Sequence, residues 1–195
     1  MLRIRHRHYA VAFAALLVLA GVGGAAWWRS RLPRRFAVVD QGKLYRGGTL
    51  YPGQLARLQG SYGIGRVISL LDSEAPETLG ERDAAARLGI AWENVPLPGN
   101  GASTPAERDR LRALLLAPGA PPTLVHCAAG VNRTGLAVGM YRLHGQGWTL
   151  EQVMAELRAT DFEDEPQHES LRQALAAEAE LAWAAPPSAS PETRE

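Results

Sequence analysis

At 195 residues the chain has room for one ordinary domain and an appendage. Its net charge of +1 hides an asymmetry: residues 1–35 hold seven arginines and no acid, which leaves 14 basic against 20 acidic side chains, or −6, for residues 36–195. An acidic domain is a poor partner for nucleic acid, and none is expected; the single cysteine excludes an internal disulfide framework.

Residues 1–8 form a basic tail. Tyr9 to Trp28 is a run of twenty residues without a charge, about 30 Å as a helix and so the thickness of a bilayer's hydrocarbon core. Tyr9 and Trp27-Trp28 mark its edges, where interfacial aromatics belong, and arginines flank both ends. A buried core helix would not carry such flanks. A cleavable signal peptide is the nearer rival, since Gly24-Ala25-Ala26 offers a small-x-small site. The apolar run is longer than a usual signal core, however, and two tryptophans would follow the cut. The expectation is an uncleaved single-pass transmembrane helix over 9–28, in a bacterial inner membrane, with residues 29–35 as a basic juxtamembrane linker. Arginines are nearly balanced across the span. The three in the short tail favour an N-terminus inside and a domain on the extracytoplasmic side.

A folded domain is expected over 36–185. Phe36–Val39 and Lys43–Arg46 read as short strands around a turn. Pro52 to Leu58 reads as a brief helix ending at Gly60, and Val67-Ile-Ser-Leu-Leu as a strand buried on both faces of a parallel sheet. Pro76 to Leu88 has helical spacing and stops at Gly89; Ile90 to Leu97 alternates as a strand. Thr104-Pro-Ala-Glu107 is a capping box with proline at the first helical position, and Thr149-Leu-Glu-Gln152 is a second capping signal. Thr123-Leu-Val125 reads as a buried strand, Thr134 to about Gly145 as a helix, and His168 to Trp183 as a last amphipathic helix. Residues 186–195 are polar and proline-rich and are expected to be disordered. Strands alternating with helices predict an α/β fold, a small, mostly parallel central sheet flanked by helices, with ligands bound beyond the strands' carboxyl ends.

That position is held by His126-Cys127-Ala128-Ala129-Gly130-Val131-Asn132-Arg133-Thr134-Gly135. A strand, a tight loop and a helix N-terminus make an anion site, because loop amides and first-turn N–H groups converge on one spot. A helix N-terminus and a guanidinium favour the thiolate of Cys127, so it can act as a nucleophile at neutral pH. Arg133 offers a planar fork that fits two phosphate oxygens. The bland alternative for a lone thiol is a buried structural cysteine. A sulfurtransferase would also use a loop cysteine but gives no reason for Arg133-Thr134-Gly135.

The spacing H-C-x5-R-[ST]-G resembles the signature loop of the cysteine-dependent tyrosine and dual-specificity phosphatases. Lys43-Leu-Tyr45-Arg46-Gly47-Gly48, Tyr62-Gly-Ile-Gly-Arg-Val-Ile-Ser-Leu and Gly99-Asn100 are similar to stretches of the atypical plant-and-fungal class. The resemblance runs from about Phe36 to Leu157. It implies a phosphatase fold, an enzyme, and attack by Cys127 on phosphorus to give a phosphocysteine that water hydrolyses. Arg133 would clamp the phosphoryl oxygens, the backbone amides of Ala128, Ala129, Gly130, Val131 and Asn132 would cradle them, and Thr134 would assist thiolate departure. His126 would support the loop. Neither metal nor cofactor is called for.

Relatives usually supply a general-acid aspartate from the loop some thirty residues before the cysteine. Here that loop, Pro96 to Thr104, has no carboxylate. Asp72, after the first buried strand, is the candidate retained; Glu93, Asp109, Asp161 and Glu163 are the others. Without an acid, good leaving groups come into view, as in phosphoanhydrides of RNA triphosphatase or inositol pyrophosphate type. A weak, phosphate-binding pseudophosphatase is a further alternative. The apolar filling of the loop and the acidic domain argue against polyanions and for a phosphomonoester on protein or on a membrane phospholipid.

Overall fold

A computed structural model describes residues 32–51 and 53–184. The expected tail and membrane span (1–28), and the expected C-terminal tail (186–195), lie outside the described residues. Among the described residues, no helix is long and apolar enough to cross a membrane.

Five strands form one sheet in the order β1-β2-β5-β3-β4: β1 Ala37–Asp40, β2 Leu44–Gly47, β3 Arg66–Ser69, β4 Ala91–Asn94 and β5 Thr123–His126. β1 pairs antiparallel with β2 through an irregularity between Val38 and Asp40, and the other three pairings are parallel. Because β2, β3 and β5 run the same way, Gly47, Ser69 and His126 lie abreast. The loops that follow them therefore open at one end of the sheet.

Alternation along the strands separates two faces. Leu44, Ile68 and Val125 enter a core shared with α3 (Pro105–Leu115), α4 (Asn132–Gln146), α5 (Leu150–Ala159) and α6 (Glu169–Ala184). Their neighbours Tyr45, Val67 and Leu124 are buried and lie outside that cluster. On that side Tyr45 packs edge-on to Tyr62 of α1 (Gln54–Tyr62), and both rings meet Phe36. α2 (Pro76–Leu88) packs against α1 and β4. The sheet is thus covered on both faces, as its continuous apolar run predicts.

α4 is buried nearly all round, with nine residues from Thr134 to Leu143 inaccessible, so it has no polar stripe to read from sequence. A Cβ on Gly139 would come within 2.7 Å of Leu175 Cδ2 and 2.8 Å of Val153 Cγ1; this small residue lets α5 and α6 close on α4. Both capping boxes form: the Thr104 hydroxyl accepts from Glu107 N at 3.3 Å and that of Thr149 from Gln152 N at 3.3 Å.

Several boundaries differ from the expectation; β3, for one, spans Arg66–Ser69 rather than 67–71. α1 continues through Gly60 and stops at Gly63, which is left-handed (φ 68°) and donates to Gln59 O at 2.9 Å. Leu58, fully buried, holds the last turns against the sheet. β4 ends at Asn94: Val95 N still donates to Ser69 O at 3.0 Å, but Leu97 N then bonds Leu70 O at 3.3 Å, one residue out of register with the ladder. α4 begins at Asn132, two residues early, since the loop runs straight into its first turn with Gly135 N donating to Val131 O at 2.6 Å.

Candidate active site

Cys127 sits at the end of β5, 2% exposed, and the loop after it turns through Gly130 in a left-handed backbone (φ 75°). A Cβ there would stand 2.8–2.9 Å from the backbone of Gly47 and Gly48. Strand β2 therefore presses on the loop from behind, and only glycine fits.

Three successive loop carbonyls are gripped from outside. Thr49 N and Oγ1 donate to Ala128 O at 3.0 and 3.3 Å. Arg35 Nη1 donates to Ala129 O at 3.0 Å, and Arg46 Nη2 to Gly130 O at 2.8 Å. In a planar trans peptide the carbonyl and the following N–H point opposite ways. Holding the oxygens outward aims the N–H groups of Ala129, Gly130 and Val131 inward. Gly130 N–H meets Cys127 Sγ at 3.3 Å.

Burial pushes the Cys127 thiol up, but the opposing influences together are larger: the hydroxyl and backbone N–H of Thr134, the charge of Arg133 and the Gly130 amide leave it below the ordinary thiol value. The Thr134 hydroxyl also lies 3.4 Å from Gly47 O, so its one proton has two acceptors and can turn to the sulfur when charge develops there. Arg133 Nη1 donates to Leu70 O at 3.1 Å and Leu97 O at 3.3 Å. Those bonds fix the guanidinium from one side; Nε and Nη2 make no hydrogen bond to the described residues and form the free fork.

Behind the loop, fully buried His126 places Nε2 2.9 Å from Glu81 Oε2, with Nδ1 3.4 Å from Cys127 O. Trp92 Nε1 donates to Glu81 Oε1 at 2.9 Å. Asn132 Nδ2 donates to Gly99 O at 3.3 Å and lies 2.9 Å from His168 Nε2, whose other nitrogen is 2.8 Å from Glu163 O. The arrangement assigns the ring proton to Nδ1 and makes Nε2 the acceptor. Among the described residues no cluster of three His, Cys, Asp or Glu side chains could hold a metal.

Residues 126–134 thus lie together at the end of β5 and the start of α4. Asp72 lies on the exposed loop after β3, where its carboxylate accepts the N–H of Glu74 at 2.9 Å in an Asx turn leading to α2. The same loop carries Leu70, which holds Arg133. Of the other carboxylates weighed, Glu93 pairs with Arg110, Asp109 with Arg112, and Asp161 with Arg35. Sequence reasoning missed the braces Arg35, Thr49, Glu81, Trp92 and His168, and gave Arg46 no role. A signal existed for Arg46, an arginine inside an apolar strand, which is how a buried charge reads. It is 3% exposed, its Nη1 has no partner among the described residues, and burial draws its guanidinium down.

Residues 75–193, which include Cys127 and Arg133, match the model of the tyrosine phosphatase family. The chain belongs to that family. That family resembles the cysteine-dependent phosphatases whose loop spacing the chain carries at Cys127 and Arg133. It is 44% identical over 55 residues to the dual specificity protein phosphatase TpbA of Pseudomonas aeruginosa (strain UCBPP-PA14). That match covers 28% of this chain and 25% of TpbA, so the chain spans about a quarter of the length of the curated relative it matches. The crystal structure of P. aeruginosa TpbA superposes with a TM-score of 0.57 at 25% identity, over 73% of this chain and 85% of that one. The core catalytic domain of the PP-IP phosphatase SIW14 from S. cerevisiae gives a TM-score of 0.64 at 24% identity, over 74% and 85% of the two chains. This second likeness is one of fold.

Proposed function

We propose that this chain hydrolyses phosphomonoesters, on phosphotyrosine or phosphoserine protein or on a lipid head group, through a phosphocysteine intermediate. The observation that carries the reading is the Cys127 thiol, held below its ordinary pKa inside a ring of inward N–H groups, with the Arg133 fork beside it. In this scheme the thiolate attacks phosphorus in line and the S–P bond forms as the ester P–O bond breaks. Arg133 Nε and Nη2 take two non-bridging oxygens and follow their charge in the transition state. Water then attacks the phosphocysteine, orthophosphate leaves, and the Thr134 hydroxyl stabilises the departing thiolate. Asp72 is the candidate acid for the leaving oxygen.

Support for a monoester comes from the apolar side chains at Ala128, Ala129 and Val131 and from the acidic balance of residues 36–195. TpbA, the partial relative, is described as a dual specificity phosphatase. Residues 9–28 would anchor the protein in a bacterial inner membrane as a single span, with the domain on the extracytoplasmic side.

One observation favours a second reading. The 96–104 loop gives the site only backbone oxygens, from Leu97 and Gly99. A phosphoanhydride needs no protonated leaving group, so an inositol pyrophosphate or RNA triphosphate would be cleaved without an acid. Assay of the full chain in detergent against a phosphotyrosine peptide, phosphatidylglycerophosphate and inositol pyrophosphate separates the two. Turnover of monoesters is expected; cleavage of anhydrides alone would transfer the proposal to them, and no turnover with retained vanadate binding would make this a phosphate-binding protein. Carbonate-resistant fractionation with membranes, and protease access in spheroplasts, test the anchor and its orientation.

A further inference from the structure

Among the described residues, two that are not glycine have left-handed backbones: Arg35 (φ 52°) and Asp161 (φ 64°). Side chains with a Cβ rarely occupy this region, and where they do the surroundings must hold them there. These two residues, 126 positions apart, hold each other: Arg35 Nε donates to Asp161 Oδ2 at 2.8 Å. Arg35 precedes β1 and Asp161 follows α5, so nothing local brings them together. Arg35 is also fixed from behind, since the carbonyl of Arg34 accepts from Gly48 N at 2.7 Å.

The free end of the Arg35 fork leads to the nucleophile. Arg35 Nη1 grips Ala129 O, and that carbonyl belongs to the same rigid peptide plane as the N–H of Gly130. Of the three gripped peptides, this is the one whose N–H meets Cys127 Sγ. Thr49 and Arg46 hold the peptides on either side, whose N–H groups face the anion position.

We propose that Arg35 is a positioning residue for the thiolate, acting through the 129–130 peptide, and that Asp161 serves as the brace that orients Arg35. The inference rests on the phosphatase-loop reading of this site but makes a separate prediction. The pair itself contributes little directly, because Asp161's side chain is 69% exposed and solvent screens it. Its value is geometric, so charge alone should not substitute. A lysine at position 35 would keep the charge but lacks a planar fork to reach Asp161 and Ala129 O together.

Cys127 is the sole cysteine, so alkylation reports on this thiol and no other. The test is the pH dependence of iodoacetamide alkylation of the full chain in detergent, alongside thermal unfolding. Arg35→Met should raise the alkylation midpoint by about one pH unit, a roughly tenfold slower reaction at fixed pH below it. Arg35→Lys should resemble Arg35→Met. Asp161→Asn should shift the midpoint in the same direction by less. An unshifted midpoint in folded Arg35→Met, or full retention of the wild-type midpoint by Arg35→Lys, would overturn the proposal. If Arg35→Met fails to fold, Asp161→Asn decides: a shifted midpoint supports the brace and an unshifted one refutes it. Alkylation requires no turnover, so the result stands apart from whether the phosphatase assay succeeds.

Discussion

Gly130→Ala is the most demanding test of the loop geometry, because two independent penalties act at one atom. The backbone there has φ 75°, where an alanine costs about 1–2 kcal/mol. Its Cβ would also sit 2.8 Å from Gly47 C and 2.9 Å from both Gly47 O and Gly48 N. These are backbone atoms in and next to a paired strand, so no side chain can swing aside, and overpacking adds about 1–3 kcal/mol. The sum is about 2–5 kcal/mol, or a fall in Tm of roughly 4–20 °C for a domain of this size. If the loop yields instead, the Gly130 N–H leaves Sγ, and stability is partly kept while the thiol pKa rises. Differential scanning calorimetry and alkylation against pH, run on the same sample, distinguish these outcomes. Gly60→Ala is the control: Gly60 lies inside α1 with nothing within 4 Å of where the alanine methyl would stand, and this change should stabilise by about 0.5–1 kcal/mol. A Gly130→Ala protein with wild-type Tm and wild-type thiol titration would refute the backbone contact between β2 and the loop.

Cys127→Ser should abolish turnover while vanadate still binds, since a serine hydroxyl does not ionise near neutral pH; residual full activity would remove Cys127 as nucleophile. Arg133→Lys should lose most of kcat, because Leu70 O and Leu97 O are placed for a guanidinium and an ammonium leaves no fork for phosphate. If Asp72 is the acid, Asp72→Asn should slow alkyl and tyrosyl phosphates by roughly 10²–10⁴-fold and spare activated aryl phosphates; equal losses on both would make it a turn-forming residue through its bond to Glu74 N. Tyr141 is pushed up to about 12 by burial and by its 2.6 Å bond to Asp40. Its folded pKa lies above the unfolded value of about 10, so its contribution to stability is intact below that pH and is lost between about 10 and 12. Denaturation curves of Tyr141→Phe should show a smaller alkaline loss in that window.

The sequence alone determined the local form of residues 126–135, because a strand, an amide-lined turn and a helix start are local structures set by neighbours in the chain. For the same reason it determined both capping boxes, whose bonds span three residues, and the double-sided burial of the sheet, which shows as an unbroken apolar run. It did not locate the supports of the loop. Arg35, Arg46, Thr49 and Glu81 reach the loop across 45 to 94 positions, and three of them bond backbone carbonyls, which any donor satisfies and which leave no spacing to read. The sequence put Asp72 ahead of four other carboxylates only by its place after a buried strand, since no spacing in the chain shows which carboxylate reaches the loop. Only the tertiary structure assigned Glu93 to Arg110 and Asp161 to Arg35, whereas the Asp109–Arg112 pair and the Asp72 turn are local contacts within three residues. Long-range packing decides which charges meet, and that depends on where α3, α5 and the segment before β1 come to rest against the sheet.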